Sequence, residues 1–223
     1  MTGLLQLILD WSEVWAILVP LSVLLFRKSQ PAFLKPVIYY LWVALLLNTV
    51  GDIISELKED FPSWLHWLRS NNVLYNIHSL IRFALFTYFF RLLGNLFRSN
   101  LDKFINVAAF IFLIINFLFF ENFFNPDHLS GNLLATEAFV LLLYCMQYYL
   151  SKLTDENEGF SRTKDFWVVT GLSIYVVVNF FVFLFYVPLL SENTDLSVKM
   201  WNVHNVAYIV LCIFIARAFY VPA

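Results

Sequence analysis

Charge is scarce in this sequence. Lysine, arginine, aspartate and glutamate together make up 13% of its 223 residues, and the net charge is −2. Nucleic acids are held by clustered basic groups, so no partner of that kind is expected. Cysteine is nearly absent. Cys145 and Cys212 both fall in apolar stretches, which leaves no disulfide framework and no CxxC spacing. The six glycines form no phosphate-cradling loop, and the four histidines form no HExxH or HxxxH pair. No Ser/His/Asp nucleophile order stands out.

What remains is apolar. Hydrophobic residues reach 61% and the mean hydropathy is +0.72. A soluble fold of this length has no core large enough to bury so much. Its apolar runs approach the roughly 20 residues that span a bilayer. They do not alternate as barrel strands do, so helices are the expected spanning form. The chain is read as one domain over residues 1–223, an all-α polytopic membrane protein. Seven spans are expected near 4–26, 34–57, 71–95, 102–120, 130–152, 165–188 and 198–220. Breaks fall at Pro31 and Pro36, Asp60-Phe61-Pro62, Asn125-Pro126-Asp127, Asp155 to Gly159, and Ser191 to Asp195. The first segment lacks a basic start and carries Asp10 and Glu13, so it reads as a retained helix rather than a signal peptide.

Orientation follows from the basic residues of the loops. Arg27, Lys28, Lys35, Arg91, Arg98, Lys103, Lys152, Arg162, Lys164 and Arg217 fall on one side; Lys58, Arg69 and Lys199 fall on the other. The N-terminus is therefore expected outside and the C-terminus in the cytoplasm, with the protein in the plasma (inner) membrane and lipid as its surroundings. His66 and His128 are expected in solvated outer loops.

Two short patterns recur at nearly one offset. Tyr75-Asn76-Ile77-His78-Ser79 returns as Trp201-Asn202-Val203-His204-Asn205, and Ser12-Glu13-Val14-Trp15 returns as Thr136-Glu137-Ala138-Phe139. A shared offset points to an internal duplication. The expected architecture is a parallel 3+1+3 repeat: about 4–95, a linker helix at about 102–120, and about 130–220. The duplication pairs Glu13 with Glu137 and His78 with His204.

At 1.5 Å of rise per residue, these four groups lie about 9–14 Å below the outer starts of their helices. Asp52 and Asn179 come to a similar level, and Arg82 lies one turn deeper. Charges at such depth face the protein interior and take partners. Arg82 is expected to pair with Asp52 or Glu13. Asn76 and Asn202 point away from the neighbouring histidines and are expected to bridge helices. Glu13, Asp52 and Glu137 against one arginine leave a surplus of negative charge, which protonated histidines, a protonated carboxylate or a bound cation would relieve. The candidate ligand-binding set is Glu13, Asp52, His78, Arg82, Glu137, Asn179 and His204. Within it, Glu13, His78, Glu137 and His204 are candidate ligands for zinc or iron. Retinal is not expected, because the only lysine of the last span is Lys199 at its outer end.

With N-terminus out and three helices on either side of a linker, the chain resembles the PQ-loop and rhodopsin-type architecture. Ser12-Glu13 and Thr136-Glu137 stand where the PQ pairs would, and Asn76 and Asn202 stand near the paired substrate-facing asparagines of the sugar-transporter-like members. Its Phe-rich segments, Phe166-Trp167 to Phe185 and Trp201 to Phe219, also resemble bacterial seven-helix sensor-type modules, which implies a cytoplasmic or membrane signalling partner. Three functions follow in order. The first is a receptor- or sensor-like protein with a small ligand or cation in an outer-half polar pocket. The second is a proton-coupled small-solute transporter. The third is a metal-dependent intramembrane enzyme.

Overall fold

The computed structural model describes residues 3–57, 70–94, 100–125, 129–154, 163–192 and 194–222. Every regular element among them is helical: α1 (Gly3–Asp10), α2 (Ser12–Phe26), α3 (Lys35–Leu57), α4 (Asn72–Leu93), α5 (Asn100–Phe119), α6 (Gly131–Thr154), α7 (Lys164–Glu192) and α8 (Thr194–Tyr220), with a 3₁₀ turn at Ala32–Leu34. Five helices are long and apolar enough to cross a membrane: α3 with its leading turn, α4, and the apolar lengths of α6, α7 and α8. α2 and the Lys103–Phe119 stretch of α5 are apolar but shorter. Lys58, His66, Arg69, Arg98, His128 and Arg162 lie outside the described residues.

The helix limits fall within a few residues of those expected, with one difference of kind. The segment expected as a single span over 4–26 is two helices that meet at Trp11. Two carbonyls next to the break find side-chain donors instead of helical ones. Trp15 Nε1 donates to Ile8 O at 2.8 Å, and Asn205 Nδ2 donates to Leu9 O at 3.0 Å. The break also puts Glu13 in the first turn of α2, where the positive end of the helix dipole favours a carboxylate.

α7 packs along α8 and against α6, α2 lies against α8, α3 against α4, and α4 against α6. α5 rests chiefly on α6 and turns Phe104, Phe110 and Leu118 outward. Helices surrounded by lipid associate through close packing and interhelical polar contacts rather than by hydrophobic burial. Gly171 shows how close the α7–α8 contact is: a Cβ placed there would stand 2.5 Å from Phe214 Cβ. The interior holds two apolar clusters. The larger is built on Ile17, Leu34, Leu41, Phe86, Phe89, Phe90, Leu141 and Leu211; the smaller is built on Leu133, Leu134, Val182 and Phe183 at the other end of the bundle. At the larger cluster's end, the Arg27 and Arg217 guanidiniums cover the Tyr220 ring, Lys152 meets Asp165 at 3.7 Å, and Lys164 Nζ donates to Gln30 at 3.0 Å.

Candidate functional site

Between the two apolar clusters lies a layer of buried polar side chains. Ser12, Glu13, Asn48, His78, Ser79, Arg82, Glu137, Asn179, His204 and Asn205 are each no more than 6% exposed. They come from α2, α3, α4, α6, α7 and α8. In such surroundings each polar group needs a partner, because an unmet hydrogen bond is costly away from water. The contacts fall into two sets.

The first is centred on Glu13. His204 Nε2 lies 2.8 Å from Glu13 Oε1, and the Tyr75 hydroxyl donates to Glu13 Oε2 at 2.8 Å. His204 Nδ1 in turn lies 2.6 Å from Asn179 Oδ1. Both ring nitrogens thus face oxygen. The imidazole sits among aromatic rings, with Trp201, Phe183 and Tyr175 centroids 5.0, 5.2 and 5.9 Å away. Asn48 Nδ2 donates to the Glu13 carbonyl at 3.0 Å and ties α3 to the same point.

The second is centred on Arg82. Its Nε and Nη2 donate to the two carboxylate oxygens of Glu137 at 2.5 and 2.7 Å. This is the two-pronged geometry that suits guanidinium and carboxylate. Nη1 donates to the Tyr175 hydroxyl at 2.7 Å, and Ser79 Oγ donates to Glu137 Oε2. Tyr175 packs on Tyr208 at 5.8 Å. The Tyr208 hydroxyl meets that of Tyr40 at 3.4 Å, and the Tyr40 ring stacks on His78 at 5.7 Å.

The arginine's partner is therefore Glu137, not Asp52 or Glu13 as the sequence suggested. Depth along a helix can be read from the chain, but the direction in which a side chain leaves a helix depends on how neighbours pack. The four candidate metal ligands do not converge for the same reason. Glu13 and His204 form one contact, Glu137 is occupied by Arg82 and Ser79, and His78 stands on Tyr40. Among the described residues no group of three His, Cys, Asp or Glu side chains has the placement to hold a metal ion. Asn76 Nδ2 donates to Phe123 O at 2.9 Å, and Asn202 contacts Gln6, so both asparagines bridge separate segments.

Among the described residues, the buried side-chain atoms without a hydrogen-bond partner are Ser12 Oγ, His78 Nε2, Asn179 Nδ2 and Asn205 Oδ1 of the layer, and Asp52 Oδ2, Thr87 Oγ1 and Ser130 Oγ elsewhere. His78 lines a small cavity between α3 and α4, about 10 Å³ in volume, together with Leu47, Asn48, Gly51, Asn71, Leu74 and Tyr75. That is the room of one water molecule. Tyr40, Tyr75, Ser79 and Tyr175 stand outside the ligand-binding set expected from the sequence, although Tyr75 and Ser79 belong to the recurring pattern. Their signal was hydroxyl-bearing residues at the depth of the ionisable ones, in spans otherwise supplied with phenylalanine.

No protein-family model, curated protein or solved structure matches this chain.

Proposed function

We propose that this is a seven-span, sensor-like membrane protein whose outer-half polar layer binds a small ligand or cation. In this reading α1 and α2 together make the first span and α5 the linker, and the helices before and after it are the two copies of a 3+1+3 repeat. The N-terminus is outside. The basic, aromatic-backed cluster of Arg27, Lys152, Lys164 and Arg217 at the far end supports that orientation.

One observation carries the reading: both ionisable contacts of the layer join a helix before the linker to a helix after it. Glu13 on α2 meets His204 on α8, and Arg82 on α4 meets Glu137 on α6. Other pairs follow suit, including Asn205 with the Leu9 carbonyl and Asn202 with Gln6. A ligand or cation that changes the charge at this layer acts on contacts between the halves. Such differential contact is what a change of conformational population requires. In this reading the signal passes to a cytoplasmic or membrane partner.

Packing below the layer favours sensing over transport. Ile17, Phe86, Leu141 and Leu211 are fully buried side chains, one from each of four helices, and they close the bundle beneath Glu13 and His204. Reconstitution distinguishes the two functions. With an imposed pH gradient, proteoliposomes are expected to take up protons no faster than protein-free vesicles, read with a trapped dye. Proton flux that is lost in Glu13→Gln would overturn the sensor reading in favour of a proton-coupled transporter.

A further inference from the structure

Where the larger apolar cluster ends, Arg27, Lys164 and Arg217 come together, and none of them is in an ion pair among the described residues. We propose that this cluster is a binding site for the phosphate-bearing headgroup of an anionic phospholipid.

Three helix ends build it. Arg27 closes the C-terminal end of α2, Lys164 is the first residue of α7, and Arg217 lies in the last turn of α8. One side chain ties the three ends together. Gln30 Nε2 donates to the Arg27 carbonyl at 2.7 Å and to the Phe219 carbonyl at 3.1 Å, while Gln30 Oε1 accepts from Lys164 Nζ at 3.0 Å. Two rings set the guanidiniums. Arg27 and Arg217 lie over Tyr220, 5.4 and 5.8 Å from its centroid, and Arg217 also lies over Trp167 at 5.4 Å. Trp167 stands three residues beyond Lys164 on α7, on the same side of the helix. The cations are thus positioned by neutral groups, and Arg27 is the charge felt at Lys164.

The charge balance selects an anion. Lys164 is only 7% exposed. A buried ammonium beside an amide oxygen and a like charge is costly until a negative group joins it. The nearest acid along the chain, Asp165, is engaged by the Tyr148 hydroxyl at 2.9 Å and by Lys152 at 3.7 Å. The start of α7 adds the positive end of its dipole. Guanidinium and ammonium groups are the usual partners of phosphate. A zwitterionic headgroup carries an ammonium of its own, for which the cluster has no free acid among the described residues, so the headgroup that fits is net negative. The surface beside the cluster selects a lipid over a dissolved phosphate. Leu25 and Phe26, which lead into Arg27, are 65% and 87% exposed, and Tyr220 is half exposed. Acyl chains lie along such a face, and basic groups at its edge meet the headgroups.

Binding is measured by native mass spectrometry on the purified full chain in neutral detergent. The probes are phosphatidylglycerol, phosphatidylcholine with the same acyl chains, and inorganic phosphate. Saturable binding of phosphatidylglycerol is expected, with phosphatidylcholine clearly weaker and inorganic phosphate unable to compete. A basic group near a membrane surface is worth about fivefold in affinity. Lys164→Met is therefore expected to weaken phosphatidylglycerol by about fivefold, and Arg27→Gln/Arg217→Gln by about 25-fold. Lys164→Met keeps the buried stem and removes an uncompensated charge, so the fold is retained. Lys103→Met, at an exposed position near the start of α5, removes the same net charge and is expected to leave binding unchanged. The proposal is overturned if phosphatidylglycerol does not saturate, if phosphatidylcholine binds equally, or if folded Lys164→Met binds undiminished. Competition by inorganic phosphate would overturn it in favour of a dissolved anion. Equal losses in Lys164→Met and Lys103→Met would reduce the effect to overall charge and overturn it as well. Each such failure leaves the sensor reading standing, since that reading rests on the polar layer.

Discussion

Glu137→Leu leaves the Arg82 guanidinium inside the bundle with the Tyr175 hydroxyl as its one remaining acceptor among the described contacts. Removing one partner of a buried ion pair costs about 3–5 kcal/mol, because the other charge stays behind uncompensated. For a chain of this length, about 1 kcal/mol corresponds to about 2–4 °C in Tm, so a fall of about 6–20 °C is expected. Arg82→Met is expected to do comparable harm, since it leaves Glu137 with Ser79 as donor. The double variant Arg82→Met/Glu137→Leu removes both charges and fills the space with apolar groups. Replacement of whole buried pairs in this way is often neutral, so its Tm is expected to return close to that of the unmodified protein. Thermal unfolding in detergent, followed by tryptophan fluorescence, measures all four proteins. The reasoning is refuted if the double variant loses the sum of the two single losses, or if each single loss stays within about 0.5 kcal/mol, the range of surface changes.

The other expectations concern packing and bridging contacts. Gly171→Ala drives a Cβ to 2.5 Å from Phe214 Cβ, and overpacking of this kind costs about 1–3 kcal/mol, seen as a lower Tm with helical content unchanged. Asn48→Leu removes one interhelical hydrogen bond; such bonds average about 0.6 kcal/mol in membrane bundles, so its Tm is expected to drop by far less than that of Glu137→Leu. Trp15→Phe frees the Ile8 carbonyl at the α1–α2 break, and faster amide exchange confined to the residues around Trp11 is expected on hydrogen-exchange mass spectrometry.

Much of the helical layout was legible because its signals are one-dimensional. Apolar length, Pro36, Asn125 and the acidic stretch near Ser191 each act at one place in the chain, and helix limits fall near them. The break at Trp11 was not legible, since neither proline nor glycine marks it. It depends on Asn205, nearly two hundred residues on, to meet the Leu9 carbonyl. The polar layer was legible as depth, because rise per residue is constant. Its pairing was not, because the Arg82–Glu137 contact depends on the facing of α4 toward α6, and Asn179 meets His204 only because α7 and α8 pack so closely. The tyrosines stayed outside the expected set because a hydroxyl in an aromatic-rich span has no periodic signature. Tyr75 and Tyr175 become informative only once a carboxylate and a guanidinium stand beside them.

The central claim is that the buried layer serves the outer side of a membrane, and accessibility tests it most directly. Asn71→Cys at the cavity wall and Tyr149→Cys toward the far end are placed singly in a background with Cys145 and Cys212 replaced by serine. A membrane-impermeant maleimide is then applied to intact cells. The account predicts that Asn71→Cys is labelled and that Tyr149→Cys is labelled only after the membrane is opened. Labelling of Tyr149→Cys in intact cells, with Asn71→Cys protected until lysis, would contradict it.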